Sequence, residues 1–217
     1  MIQLNLPVRP DGKLEILCLG CHSDDIEIGC GGTVLRLADQ FPGAIFHWVV
    51  FSAIGPRDQE ARHAASLFLK PNALKGLHLK SFPDGFMPFV GADVKAFFEE
   101  LKKSISPDIV FTHFGKDAHQ DHRQISELTW NTFRDHLILE YEIPKYDGDM
   151  GRPNFFVPLE KQHYQTKVQY LMEAFATQRS KRWFQPETFL GLMRLRGMEC
   201  NSPTGYAEAF YSRKVVL

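Results

Sequence analysis

Five short runs rich in apolar, β-branched or aromatic residues alternate along this chain with stretches whose apolar residues recur at helical spacing. The runs are 14–20 (LEILCLG), 44–53 (AIFHWVVFSA), 76–82 (GLHLKSF), 108–114 (DIVFTHF) and 136–143 (HLILEYEI). Between them lie four stripes: Val34, Leu37, Ala38 and Phe41; Ala61, Ala64, Ala65 and Phe68; Val94, Phe97, Phe98 and Leu101; Ile125, Leu128, Thr129 and Phe133. Spacings of three and four residues mark one buried helix face. Strands that alternate with helices pair in parallel, because a parallel connection needs a crossover and a helix supplies it. The expected fold class is therefore α/β, a Rossmann-like, mostly parallel twisted sheet with helices on both faces, formed as one domain over 1–217.

After residue 143 the rhythm loosens. The segment 144–156 (PKYDGDMGRPNFF) reads as a long loop, and a loop of that length in a compact domain is usually functional. A helix carrying Val168, Leu171, Met172 and Phe175 follows, then a helix near 186–197 and a closing strand within 206–217 (YAEAFYSRKVVL).

A chain of 217 residues, 44% hydrophobic and 24% charged, can bury a sizeable core. Its formal net charge of -1 gives no reason to expect nucleic acid or an anionic membrane as partner. No apolar run approaches the roughly 20 residues of a membrane span. The opening MIQLNLPVRPDGK lacks a basic-then-apolar leader, so a cytoplasmic location is expected. Cys18, Cys21, Cys30 and Cys200 include one C-x-x-C pair, Cys18 and Cys21, with no second pair to face it. They read as small buried hydrophobes in a reducing compartment rather than a zinc–thiolate site.

The first run ends in CHSDDIEIGCGG (21–32), and the fourth is followed by THFGKDAHQDHRQIS (112–126). In open α/β sheets ligands bind outside the carboxyl ends of the strands, so both clusters belong on one rim. The glycines alone would suggest a phosphate loop, but the G-x-G-x-x-G spacing is not met and acids precede it. Imidazole plus carboxylate is instead the ligand set of a borderline divalent metal, zinc first, whose charge offsets adjacent aspartates. The glycines are then expected to let the loop fold tightly around the metal and to start a helix. Catalytic zinc takes three protein ligands, and more candidates than that are present, so some must act as acids or bases.

The pair HSDDIEIGCGG and DAHQDHR resembles the LmbE-like/PIG-L family of zinc-dependent N-deacetylases, with Ser23 where proline is usual. The resemblance is strongest from 14 to 125 and continues through EYEIP and YAEAF. It implies that His22, Asp25 and His122 bind zinc and that Asp24 is the general base toward the attacking water. It implies too that His119 faces the substrate carbonyl as oxyanion stabiliser and general acid, oriented and charged by Asp121. Arg57, in an R-x-x-E pattern with Glu60, matches an arginine that contacts sugar hydroxyls. Paired with Asp58 or Glu60, it would instead be an ordinary surface cation. The implied substrate is a small N-acetylated amino sugar or conjugate of GlcNAc type.

Two rival readings stand beside this one. His22, Ser23 and Asp24 with a distant histidine also spell the facial triad of non-haem iron oxygenases, which would need Asp24 on the metal and usually a jelly-roll fold. A metal-holding sugar-binding protein without turnover would need neither Asp24 nor His119 as base or acid. His113 is either an outer partner of the site or the last residue of its strand. Asp117 reads first as a loop-ordering residue, and Glu27 as a loop hydrogen-bond anchor. His47, His63, His78, His136 and His163 belong to no cluster and read as packing or surface residues. Oligomeric state is left open, a homo-oligomer included.

Overall fold

The computed structural model describes residues 13–216; nearly all of the segment read for a leader, 1–12, lies outside them. All five expected strands form: β1 (Glu15–His22), β2 (Ile45–Ser52), β3 (Leu74–Leu79), β4 (Ile109–His113) and β5 (Leu137–Tyr141). They pair in parallel in the order β3-β2-β1-β4-β5. The closing strand β7 (Ala207–Tyr211) joins β5 antiparallel and carries at the edge β6 (Phe155–Pro158), also antiparallel. β6 lies at the end of the segment expected to be wholly loop. Only four residues long and next to Pro153, it has no length over which alternation could show.

Among the described residues six α-helices accompany the strands: α1 (Asp25–Gln40), α2 (Pro56–Phe68), α3 (Gly91–Ser104), α4 (Gln120–Thr132), α5 (Lys161–Ala174) and α6 (Pro186–Glu199). Strand residues alternate between two cores. Ile16, Cys18, Phe46, Trp48 and Phe111 face α1, α2, α5 and α6, whereas Leu17, Leu19, Val49, Phe51 and Val110 face α3 and α4. Both faces of the sheet are thereby covered. Strand order reverses between β1 and β4, and the crevice outside their carboxyl ends is where such a sheet accepts a ligand. All four cysteines are free and buried, as expected. No described helix is long and apolar enough to cross a membrane.

One expectation fails. Gly29, Gly31 and Gly32 do not fold a loop; they lie inside α1, which begins at Asp25. A Cβ on Gly29 would stand 2.1 Å from the Tyr141 ring, and one on Gly31 2.6 Å from Phe68. The glycines let α1 lie directly on its neighbours, which fixes the position of its first turn.

Gly29→Ala is expected to cost about 1–3 kcal/mol through overpacking. Gly191→Ala, in α6 with no atom within 4 Å of the new Cβ, should stabilise by about 0.5–1 kcal/mol. Urea denaturation of the two variants checks both signs.

Candidate metal centre

β1 delivers His22 at its last position, and α1 begins three residues later with Asp24 as N-cap and Asp25 as first helical residue. β4 ends at His113, and the following loop supplies Asp117 and His119 before α4 opens with Asp121 and His122. The two halves meet across the β1/β4 crevice.

Three atoms converge there. His22 Nδ1 is 3.2 Å from His122 Nε2 and 3.3 Å from Asp25 Oδ2, and His122 Nε2 is 3.6 Å from Asp25 Oδ2. Tetrahedral bonds of about 2.0–2.1 Å would separate ligand atoms by roughly 3.3–3.4 Å. The outer nitrogens fix the tautomers. His22 Nε2 faces Asp84 Oδ1 at 3.0 Å, and His122 Nδ1 faces Asp117 Oδ2 at 3.0 Å. Each carboxylate draws a proton to its side of the ring, leaving the inner nitrogen as a lone pair. With both rings neutral, two lone pairs and a carboxylate oxygen in such contact repel unless a cation lies among them; without a metal, a second proton on His22 takes that place. The donor set therefore fits a divalent metal.

Charges agree with that arrangement. Burial opposes ionisation of Asp25, but His122, His113 and His22 outweigh it and hold its carboxyl well below the ordinary range. Burial, reinforced by His113, pushes His122 down to about 4, so its ring is neutral as a ligand must be. Burial also opposes protonation of His22, yet its charged and hydrogen-bonding neighbours, Asp25 and Asp121 among them, carry it well above the usual imidazole value. Cys21 belongs to the same group of potential donors, but its sulfur packs 3.3 Å from Met87 Sδ, and burial pushes the thiol up to about 12. It is a neutral thiol, as the hydrophobe reading expects.

Asp24 has a different fate. Its carboxylate caps no backbone N–H; Oδ1 accepts from the Arg57 guanidinium at 2.7 Å. Burial raises its pKa against the pull of Arg57. Gly55, at φ 61, makes the turn that places Arg57 at the start of α2. Neither ordinary surface pairing of Arg57 occurs: Asp58 binds Arg62, and Glu60 accepts from the Thr177 N–H and hydroxyl. The facial-triad reading put Asp24 on the metal, whereas here Asp25 meets the two imidazoles, in an α/β sheet.

His119 is the one partly exposed imidazole of the cluster, edge-on to His22 with ring centroids 5.0 Å apart. The Asp121 carboxylate was expected to orient and charge it. It accepts instead from the Gly85 and Met87 N–H groups, at 2.6 and 3.2 Å. The backbone N–H of Asp121 donates to His119 Nδ1 at 3.3 Å. Burial and then His22 depress the His119 pKa, so its ring is neutral, with the proton on Nε2.

His113 is both strand end and outer partner: buried, its Nε2 lies 3.2 Å from Asp25 Oδ2. Asp117 orders the loop through the His119 N–H and also holds His122. Glu27 anchors no loop; it sits in the first turn of α1, fully buried, with no hydrogen-bond partner for either oxygen. Burial lifts its carboxyl well above the usual range. Asp84 was missed. Its one sequence signal is its place in the turn after the third strand, on the same rim.

A family model described as PIG-L, GlcNAc-PI de-N-acetylase, matches residues 17–133, which hold both clusters. The Escherichia coli (strain K12) protein YaiS, described as an uncharacterized deacetylase, is 28% identical over 166 residues, covering 70% of this chain and 86% of YaiS. Among solved structures, the 4-carboxy-2-hydroxymuconate hydratase GalB of Pseudomonas putida KT2440 aligns at TM-score 0.75 and 17% identity, over 94% of this chain and 98% of GalB. The N,N'-diacetylchitobiose deacetylase of Pyrococcus horikoshii aligns at TM-score 0.65 and 18% identity, over 91% of this chain and 83% of that one. Both likenesses concern the fold.

Asp117→Asn should weaken zinc binding about 10–100-fold, measured by competition with a chromophoric chelator. In the unaltered protein zinc affinity should fall on acidification, starting above pH 6.5, because His22 must lose its proton to bind. An affinity that is flat from pH about 8 to about 6 would contradict the assignment of His22.

Proposed function

The chain belongs to the PIG-L family and is a hydrolytic N-deacetylase, and we propose from that premise that it removes the acetyl group from an N-acetylated amino sugar of GlcNAc type in a zinc-dependent reaction. The observation that carries this reading is the division between neighbours: Asp25 joins His22 and His122, while Asp24 is held off by Arg57. The family description and the name of the Pyrococcus enzyme support an N-acetylglucosamine unit as substrate. The likeness to a hydratase means that the fold alone does not select the reaction.

His22 Nδ1, Asp25 Oδ2 and His122 Nε2 would hold the ion. When bound, zinc supplies Lewis acidity at the carbonyl and brings the pKa of a water to about 7. Asp24, a buried carboxylate with a raised pKa, takes the proton of the attacking water. His119, neutral, donates from Nε2–H to the carbonyl oxygen as charge builds there. The proton that Asp24 has taken is then available to the departing amine. This moves the general-acid role expected of His119 to Asp24, because burial and His22 outweigh Asp121, Asp25 and Asp117 in setting the charge of the His119 ring. Arg57 keeps Asp24 in place, and its other guanidinium edge, 3.5 Å from half-exposed Asp84, is where a sugar hydroxyl would be received. Four buried thiols suit the cytoplasm as the place of work.

Release of acetate from a panel of N-acetylated sugars and conjugates, with and without added zinc, tests the reading. Acetate should appear from GlcNAc-type members only with the metal, and none from any member would contradict the substrate class. Asp24→Asn should keep zinc and lose about 10²–10⁴ in kcat, whereas Asp25→Asn should lose the metal. Arg57→Ala should raise KM and, by releasing Asp24, lower kcat as well.

A further inference from the structure

Helix α1 is gripped from outside one turn beyond the catalytic residues. In a regular helix the N–H groups of Gly32 and Thr33 bond to the carbonyls of Ile28 and Gly29. Here both also reach a side chain, donating to Oε1 and Oε2 of Glu208 at 2.8 and 2.6 Å. The Ile28 carbonyl accepts from Lys167 Nζ at 2.6 Å, and Lys167 pairs with Glu208 at 2.6 Å. An ion pair between α5 and β7 is thus inserted beside the backbone ladder of α1. Only glycine admits it, since a Cβ at Gly32 would lie 2.6 Å from Leu159 Cδ1 and 3.1 Å from Glu208 Oε1.

The inserted pair reaches the site in two steps. Ile28, whose carbonyl Lys167 holds, donates its N–H to the Asp24 carbonyl at 3.0 Å. On the sheet side Gly29 lies on Tyr141, whose hydroxyl donates to the Leu19 carbonyl at 2.6 Å and lies 3.2 Å from His113 Nε2. Both charged side chains are buried, Lys167 2% and Glu208 4% exposed. Buried ion pairs are poor stabilisers compared with apolar residues of the same size, so stability gives this pair little purpose. We propose that Lys167 and Glu208 are positioning residues: they set the first turn of α1 so that Asp25 meets His22 and His122 while Asp24 faces Arg57. The proposal rests on the zinc deacetylase reading for its catalytic consequence, but the clamp on the backbone stands apart from it.

The test uses the full chain with Glu208→Gln and with the neutral pair Lys167→Met/Glu208→Gln, which leaves no lone buried charge should the single variant not fold. Zinc dissociation constants should rise about tenfold or more, as for lost outer partners of a metal site. At saturating zinc kcat should fall by a similar factor, with KM little changed, and amide exchange at Ile28 should quicken about tenfold in the metal-free protein. Phe98→Leu, on α3 in the core of the opposite sheet face, serves as the control and should change none of the three. Unchanged zinc affinity, kcat and Ile28 exchange in a folded variant would overturn the proposal, as would equal losses in the control. If the unaltered protein bound no zinc, the functional reading would fall, and Ile28 exchange alone would still decide the clamp.

Discussion

Two imidazole lone pairs and a carboxylate oxygen, 3.2 to 3.6 Å from one another in a buried crevice, are the constraint on which this structure turns. Such a group is costly without a cation and tightly bound with one. Much of the molecule serves to bring the three atoms together. The strand reversal between β1 and β4 opens the crevice, and each of those strands ends in a histidine beside it. Asp84 and Asp117 hold the outer nitrogens of His22 and His122, so that the other nitrogen of each ring points inward. The glycines of α1 let the helix approach until its first residue reaches the imidazoles.

Adjacent carboxylates acquire opposite properties from one residue of displacement. Asp25 sits among three histidines, which hold it ionised. Asp24 sits at the helix cap with a single arginine, and burial leaves it easier to protonate. Pairs of like groups pushed apart by their surroundings divide catalytic labour in this way. His119, neutral and partly exposed, lies beside them at the mouth of the crevice.

The architecture was legible because each parallel strand and each helix has its own periodicity, and the rim residues were legible because both clusters follow strands. What escaped depends on partners distant in sequence. The glycines resemble a turn until Tyr141, Phe68 and Leu159 are seen against them. Asp121 looks like a partner for His119, two residues away, but the loop at Gly85 and Met87 takes its carboxylate. Asp84 has one neighbouring glycine and no motif, and Glu208 lies 176 residues from the amide it accepts. The four-residue β6 has no period to read.

Fold likeness joins this chain to a hydratase as readily as to a deacetylase, so the account stands or falls on where the metal sits. The most direct measurement is anomalous diffraction at the zinc edge from crystals of the zinc-loaded protein. One strong peak is expected, bonded to His22 Nδ1, Asp25 Oδ2 and His122 Nε2, with Asp24 outside bonding distance. A peak held by Asp24, or one lying among His22 Nε2, Asp84 and His119 with the inner three atoms bare, would contradict it.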